Sequence, residues 1–416
     1  MKKKFLGFVV FTTSVSAQAA GFALIEQNAS GLGNAYAGAA AIAEDASTIF
    51  FNPAGMTYIQ GTQGVGAIHF IKPNAEFNNQ GSVAAIARPL GDEGPNAGDL
   101  ALVPNAYYKT DLNENIKIGL GINVPFGLKT EYDKEWIGRF QGDMSELKTV
   151  NFNPSIAFKV NDKLSLGFGI SAMWAESTLT RAVNFGGAGQ GSVKIKGDDW
   201  GFGYNLGAIY QATTDTRIGI AYRSKVEQHL DGDAKFRRPA GVLNAGAAAD
   251  GDVTADVSLP ASLSLSAFSQ LNDKWELMGD VTWTRWSQFE RLAVYRNSGE
   301  LLTETIENWD NTMRYSVGVN YLYSEKVKLR GGLAYDEEAI KDEFRTVRIP
   351  GNDRKWVSLG ASYQMNPTSR FDVGYVHLFI SDASIDDNQI ARNNGRVRGE
   401  YEGSVDILSL QYTHNF

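Results

Sequence analysis

Leu164, Leu166, Phe168, Ile170, Ala172 and Trp174 occupy every second position of one stretch, with Ser165, Gly167, Gly169 and Ser171 between them. The same period returns at Phe202, Tyr204, Leu206, Ala208 and Tyr210, at Val327, Leu329, Leu333 and Tyr335, and at Phe371, Val373, Tyr375 and Phe379. Alternate residues of a strand face opposite sides, so this pattern demands half-buried β-strands. The second face is largely Gly and Ser, where a packed water-soluble core would want bulk. No stretch after the leader holds 18 consecutive apolar residues, which excludes a membrane-spanning helix.

Fourteen such strands are expected, over 62–77, 99–112, 114–127, 147–161, 163–185, 192–213, 215–237, 252–271, 273–296, 300–323, 326–347, 353–366, 368–385 and 400–416. Six connections are short and polar, such as Asn161-Asp162-Lys163 and Asn366-Pro367-Thr368. They alternate with longer Gly-, Asp- and Asn-rich connections at 77–98, 128–146, 237–251 and 386–399. Short turns on one rim, long loops on the other and an even strand number predict an antiparallel transmembrane β-barrel of the bacterial outer membrane. Many strands exceed the roughly 10 residues that cross a bilayer, so the barrel should project into the medium. Leu408, Leu410, Tyr412 and the terminal Phe416 share one register, as a strand closing onto the first would. As the edge of a soluble sandwich that strand would be an aggregation hazard.

Met1-Lys2-Lys3-Lys4, the apolar run Phe5–Val15 and Ala17-Gln18-Ala19 form an export leader, expected to be cut after Ala19. Residues 20–61 do not alternate. They are Ala/Gly-rich and carry Phe22, Leu24, Ile25, Ile42, Ile49, Phe50 and Phe51, with one or two short helices expected within Ala35–Ser47. Apolar residues tethered to a barrel rim fit the lumen better than a polar tail does. The expected organisation is therefore leader 1–19, hatch 20–61 and barrel 62–416. A plugged lumen argues against an open porin. With no cysteine, four dispersed histidines and a net charge of −8, the chain offers no disulfide framework, metal cluster or basic nucleic-acid surface. No cofactor is expected. A nucleophile elbow is missing, so an enzyme is not expected either.

Gly21-Phe22, Ser30-Gly31-Leu32-Gly33, Ala43-Glu44-Asp45-Ala46 and Asn52-Pro53-Ala54 resemble the start of the FadL/TodX family of outer-membrane transporters of hydrophobic compounds. Further matches follow in order: Val103-Pro104-Asn105, Trp136-Ile137-Gly138-Arg139-Phe140, Asn153-Pro154-Ser155, Trp200-Gly201-Phe202-Gly203, Trp286-Ser287-Gln288-Phe289, and Ile349-Pro350 through Asp353-Arg354. The resemblance implies a 14-stranded barrel with a hatch inside. It also implies passive uptake of long-chain fatty acids or other hydrophobic small molecules, with lateral release at a kinked third strand. Neutral or aromatic hydrocarbons are the alternative cargo, and a general porin a remoter reading. A barrel of this kind is expected to meet outer-membrane lipid and lipopolysaccharide, to need the barrel-assembly machinery, and to be a monomer. Its long loops would also suit a phage receptor, though no residue selects that.

The resemblance also assigns residues. Phe22 matches an N-terminal aromatic that fills the ligand pocket, and Arg181 a basic pocket residue able to pair with a carboxylate. Trp136, Ile137 and Phe140 are expected to gather ligand at the loops. Asn123, Pro125, Phe126 and Gly127 mark the lateral opening, with Asn52, Pro53 and Ala54 opposite, where Asn52 would serve free backbone groups. From the residues alone, Pro125 fits either a bulge or the end of a strand, because it cannot donate to a ladder. Fatty-acid members pair the arginine with a lysine on strand ten. That position here is Thr305, with Arg296 and Arg314 as neighbouring cations that could compensate.

Overall fold

The computed structural model describes residues 21–94 and 96–416. The export leader lies outside them. Fourteen antiparallel strands close into one barrel. They are β1 (Gln63–Asn79), β2 (Ala101–Asp111), β3 (Ile116–Asn123 and Gly127–Glu131), β4 (Met144–Lys159), β5 (Leu164–Asn184), β6 (Gln190–Gln211) and β7 (Thr216–Arg223 and Val226–Arg237). The series continues with β8 (Gly251–Leu259 and Ser262–Gln270), β9 (Trp275–Thr284 and Arg291–Arg296), β10 (Leu301–Ile306 and Thr312–Leu322), β11 (Val327–Asp336), β12 (Arg354–Asn366), β13 (Ser369–Ile380 and Ala383–Asn388) and β14 (Arg396–Asn415). Each strand pairs with its neighbours in sequence. β14 returns to β1 in a ladder from Gln63↔Asn415 to Asn79↔Gly399.

The alternation has a direct structural meaning. Leu166, Phe168 and Ile170 are exposed on the outer wall, while Ser165, Gly167, Gly169 and Ser171 are buried inside. Outward apolar residues, aromatic and aliphatic, form the lipid-facing band. On β6, exposed Trp200 and Tyr210 are ten residues apart, about 33 Å along a strand and about 25 Å once tilted by about 40°. Trp200 stacks on Phe152 of β4, ring centroids 6.0 Å apart. β6 runs another ten residues above Trp200 to Gln190, so the upper third of the barrel stands clear of the bilayer.

Residues 21–61 pack against the inner wall. They contain α1 (Ala29–Leu32), α2 (Ala39–Ile42), α3 (Thr48–Phe51) and a 3-10 turn, Pro53–Tyr58. Only α2 falls in the stretch where helix was expected. Gly38, Ala43, Ala35 and Tyr36 all have positive φ, so left-handed residues break any longer helix. Contacts run round the lumen, α1 to β12–β14, α2 to β7 and β8, and the 3-10 turn to β4–β6.

Small wall residues make this fit possible. A Cβ on Gly207 would collide with the Asn52 side chain, one on Gly167 with the Ala54 amide, and one on Gly219 with the Ala40 carbonyl. The Gly/Ser face of the strands is thus the surface against which the N-terminal segment lies. Polar wall side chains also bond its backbone: Gln411 accepts from Ala29 N–H (2.9 Å), Ser266 from Ala40 N–H (3.1 Å), and Arg223 donates to Phe50 O (2.7 Å).

Candidate functional site

The third strand breaks between Asn123 and Gly127, and Pro125 sits in the break. The β2–β3 ladder runs from Asp111↔Lys117 to Ala106↔Ile122 and ends there. Gly127–Glu131 then resumes along β4. An interrupted strand strands backbone groups, and each of these finds a partner. Val124 N–H donates to Asn105 Oδ1 (3.2 Å), and Val124 O accepts from Gln27 Nε2 (3.0 Å). Phe126 N–H and O both meet the Thr149 hydroxyl (3.1 and 2.5 Å).

The remaining two groups meet the N-terminal segment. Pro125 O accepts from Leu24 N–H (2.8 Å) and Gly127 N–H donates to Phe22 O (2.9 Å), with Ala23↔Phe126 as an antiparallel bridge. Gly21–Leu24 therefore lies along the break as a short added strand. Asn52 does not serve this place, contrary to the expectation above. It donates to Ala40 O (2.7 Å) and to Ala208 O (3.1 Å) and Ile220 O (3.3 Å) of β6 and β7, and caps Ala54 N–H. Asn52, Pro53 and Ala54 are a wall contact on the β5–β7 side. The groups that do serve the break, Gln27, Asn105 and Thr149, carry no sequence signal of that role.

Phe22 is buried in an aromatic nest. Its ring centroid lies 4.8 Å from Trp286, 5.5 Å from Phe289, 5.6 Å from Trp309 and 6.2 Å from Phe126. The Trp286-x-x-Phe289 motif and Trp309 were visible as residues, but only packing shows that they converge on Phe22. Two cavities flank this nest. The lower, about 140 Å³, is lined by Ala23, Leu24, Pro125, Phe126, Pro260 and Trp286, among others. The upper, about 410 Å³, is bounded by Leu179, Arg181, Val193, Leu292, Thr305 and Arg348. Leu292 belongs to the upper cavity and packs on the nest, and Trp286 to the nest and the lower cavity. The Phe22 cluster is thus the partition between them.

Arg181 pairs across β5–β6 with Val193, seven residues above Trp200, and so lies beyond the bilayer band. Its one side-chain hydrogen bond among the described residues goes to Ala182 O at 3.4 Å. Burial lowers its guanidinium from the usual arginine range. Arg348, from the β11–β12 loop, lines the same cavity. Burial, then the neighbouring Arg181 charge, pushes it down to about 10, so it too stays cationic at neutral pH. Arg296 and Arg314 do not compensate for Thr305 at this cavity. Arg296 donates to Ala249 O and Ala247 O, both at 3.0 Å, and Arg314 to Ala35 O at 2.8 Å, lining the lower cavity.

Trp136, Ile137 and Phe140 are buried and do not present an apolar surface to the medium. Trp136 stacks on Tyr132 at 3.8 Å and donates from Nε1 to Gly142 O (3.0 Å). Ile137 packs in the same cluster with Phe77, Val397 and Tyr401, and Phe140 against Ala85 and Ala182. Arg139 closes the arrangement by donating to Pro89 O (2.8 Å) and Leu90 O (3.0 Å). Aromatics in a long loop read as exposed because sequence does not show that loops can build a core of their own.

A second feature fixes the N-terminal segment low in the lumen. Arg330 of β11 grips Glu44 with both terminal nitrogens (2.8 and 2.9 Å), and Lys328 and Arg370 approach the same carboxylate at 3.3 Å. Arg370 also binds Asp45 (2.8 Å), which accepts from Gln411 (2.8 Å).

A closed 14-stranded barrel with lipid-facing aromatics, a filled lumen and a nested N-terminus defines an outer-membrane transport protein rather than an enzyme. The family model described as outer membrane protein transport protein (OMPP1/FadL/TodX) matches residues 10–416, and the chain belongs to that family. It is 34% identical over 404 residues to outer membrane protein P1 of Haemophilus influenzae, covering 87% of this chain and 86% of that one. It is 30% identical over 413 residues to the long-chain fatty acid transport protein of an Escherichia coli strain, covering 90% and 91%. The crystal structure of a Pseudomonas aeruginosa FadL homologue superposes with a TM-score of 0.89 at 26% identity, over 95% of this chain and all of that one. The protein is an outer-membrane transporter of hydrophobic compounds.

Proposed function

We propose that the cargo is a long-chain fatty acid, taken up passively and released sideways at the third strand, with residues 21–61 acting as the hatch. The carrying observation is Arg181, a half-buried cation with no carboxylate partner among its hydrogen bonds, in a cavity one aromatic partition away from the break at Pro125. The relative named for long-chain fatty acid transport supports this reading.

In this mechanism the carboxylate pairs with Arg181 and the alkyl chain presses on the Phe22 nest. Each buried methylene contributes about 0.8 kcal/mol, so a C16–C18 chain can outcompete one phenyl ring. Displacing Phe22 joins the two cavities. It also withdraws Gly21–Leu24 from Pro125 and Gly127, leaving Asn123–Gly127 as the exit. Asn52, Pro53 and Ala54 stay seated on the wall, and the Glu44–Arg330 contact holds the rest of the hatch in the lumen.

A neutral hydrocarbon is the second reading, favoured by Thr305, which puts a hydroxyl where fatty-acid members have a second cation. Titrating purified protein with oleate and with a neutral hydrocarbon of similar length, in wild type and Arg181→Ala, separates the two. Selective loss of oleate binding in the variant supports the fatty acid. Equal binding of both ligands, untouched by the substitution, would remove the carboxylate site.

A further inference from the structure

We propose that Arg348 is the second cation of the carboxylate site, supplied by the β11–β12 loop in place of a strand-ten residue. The inference rests on the fatty-acid reading above and deepens it. Arg348 Nη1 donates to Met144 O (3.1 Å) and Ser145 Oγ (2.8 Å), and Nη2 to Thr180 O (3.3 Å). Those bonds fix the guanidinium beside residue 181, since Thr180 is the preceding residue of β5. Every acceptor that Arg181 and Arg348 reach through a hydrogen bond is a neutral oxygen. Two adjacent, half-buried like charges repel, and an anion between them relieves the cost of both.

The other charged groups round the cavity do not neutralise this pair by contact. Asp143, whose charge favours the Arg348 cation, is paired with Lys134 at 2.8 Å, Glu307 is pushed up to about 8 by burial, and Glu304 is held by Arg291 at 3.2 Å. Arg392 at the rim donates to Glu304 O at 3.2 Å and adds positive charge at the mouth. The apolar lining, Leu179, Val193, Ile195, Leu292 and Val294, accepts the first methylenes. A carboxylate fits this arrangement because it offers one oxygen to each guanidinium.

The test is a titration of the full-length protein in detergent with oleate and with oleyl alcohol, which shares the chain but lacks the charge. Arg348→Gln should weaken oleate about tenfold, the loss of one charge-assisted hydrogen bond, and leave oleyl alcohol unchanged. Because Arg348 also ties its loop to β4, a second variant carries the charge back by another route. Thr305 lines the same cavity, so Arg348→Gln with Thr305→Lys should recover most of the oleate affinity. Equal weakening of both ligands by Arg348→Gln, or no recovery with Thr305→Lys, overturns the proposal and leaves Arg348 as a loop fastener. Arg181→Ala in the same series reads the underlying reading separately: if it too leaves oleate unaffected, there is no carboxylate site at all.

Discussion

Gly127 donates its amide hydrogen to the carbonyl of Phe22 at 2.9 Å, so the residue that fills the aromatic nest is also the one whose backbone seals the third strand. In the proposed mechanism, ligand entry and wall closure are joined by this single residue.

That junction can be locked. Ala23 and Phe126 face each other as the non-hydrogen-bonded pair of an antiparallel bridge, where Cα atoms are about 4.5 Å apart, within disulfide range. The chain has no cysteine of its own. In Ala23→Cys/Phe126→Cys protein, oxidation should bring oleate uptake to background and reduction should restore it to the level of Phe126→Cys alone. Uptake that continues with the disulfide intact would place the exit elsewhere. In the unlocked protein, Pro125→Val with Gly127→Val should slow uptake.

The Glu44 contact should matter for sealing. Glu44→Ala removes the carboxylate that Arg330, Lys328 and Arg370 share; each cation keeps another acid, Asp372, Glu276 or Asp45, but the direct tie from Glu44 to β11 is lost. The expected result is a loosened plug, read as larger and noisier single-channel conductance in planar bilayers. Quiet, wild-type traces would mean that packing alone holds the segment.

Gly207 tests the small-residue wall. Gly207→Val forces a branched side chain into the space of the Asn52 carboxamide. The segment should shift away from β6, with increased protease cleavage within residues 38–56 while the barrel still resists unfolding in cold detergent. Unchanged cleavage would show that the fit tolerates bulk.

A pH effect is expected at Glu307, which lies above the bilayer band in the break of β10. Burial raises its carboxyl from an ordinary value of 4.5 to about 8, against the opposing Trp309 hydrogen bond and Arg348, with Asp387 adding to the rise. The unfolded chain gives up this proton near 4.5 and the folded chain near 8. Stability from this group is therefore greatest at low pH and falls as pH climbs between those values. Glu307→Gln keeps an acceptor for Trp309 and cannot ionise. Its melting temperature should rise relative to wild type between pH 5 and pH 8, and a constant difference would contradict the assignment.

The barrel was legible because its determinants are periodic. Each expected strand overlaps an observed one, since the lipid-facing residues repeat every second position and the turns announce themselves. The interrupted strand was legible at Pro125, whose missing N–H is a property of one residue. What fills the interruption was not. Gln27, Asn105 and Thr149 are common polar residues whose role depends on meeting the break across 97, 19 and 23 positions of sequence. Arg348 was hidden for the same reason: a loop arginine has no period, and only the folded loop carries it to Arg181. Trp136 misled because its chemistry suits either an open surface or a buried stack, and Tyr132 decides between them.

The short strand at the break has an energetic consequence. It is held to the third strand by two backbone hydrogen bonds, each worth about 0.5–1.5 kcal/mol net, and by the buried side chains of Phe22 and Leu24, while the body of the segment is clamped by ions and close packing elsewhere. The backbone half of that latch is weak, so the aromatic nest around Phe22 sets the strength of the seal. In the proposed mechanism a cargo that takes the place of Phe22 in the nest leaves only those two hydrogen bonds to break, and binding energy alone can open the wall.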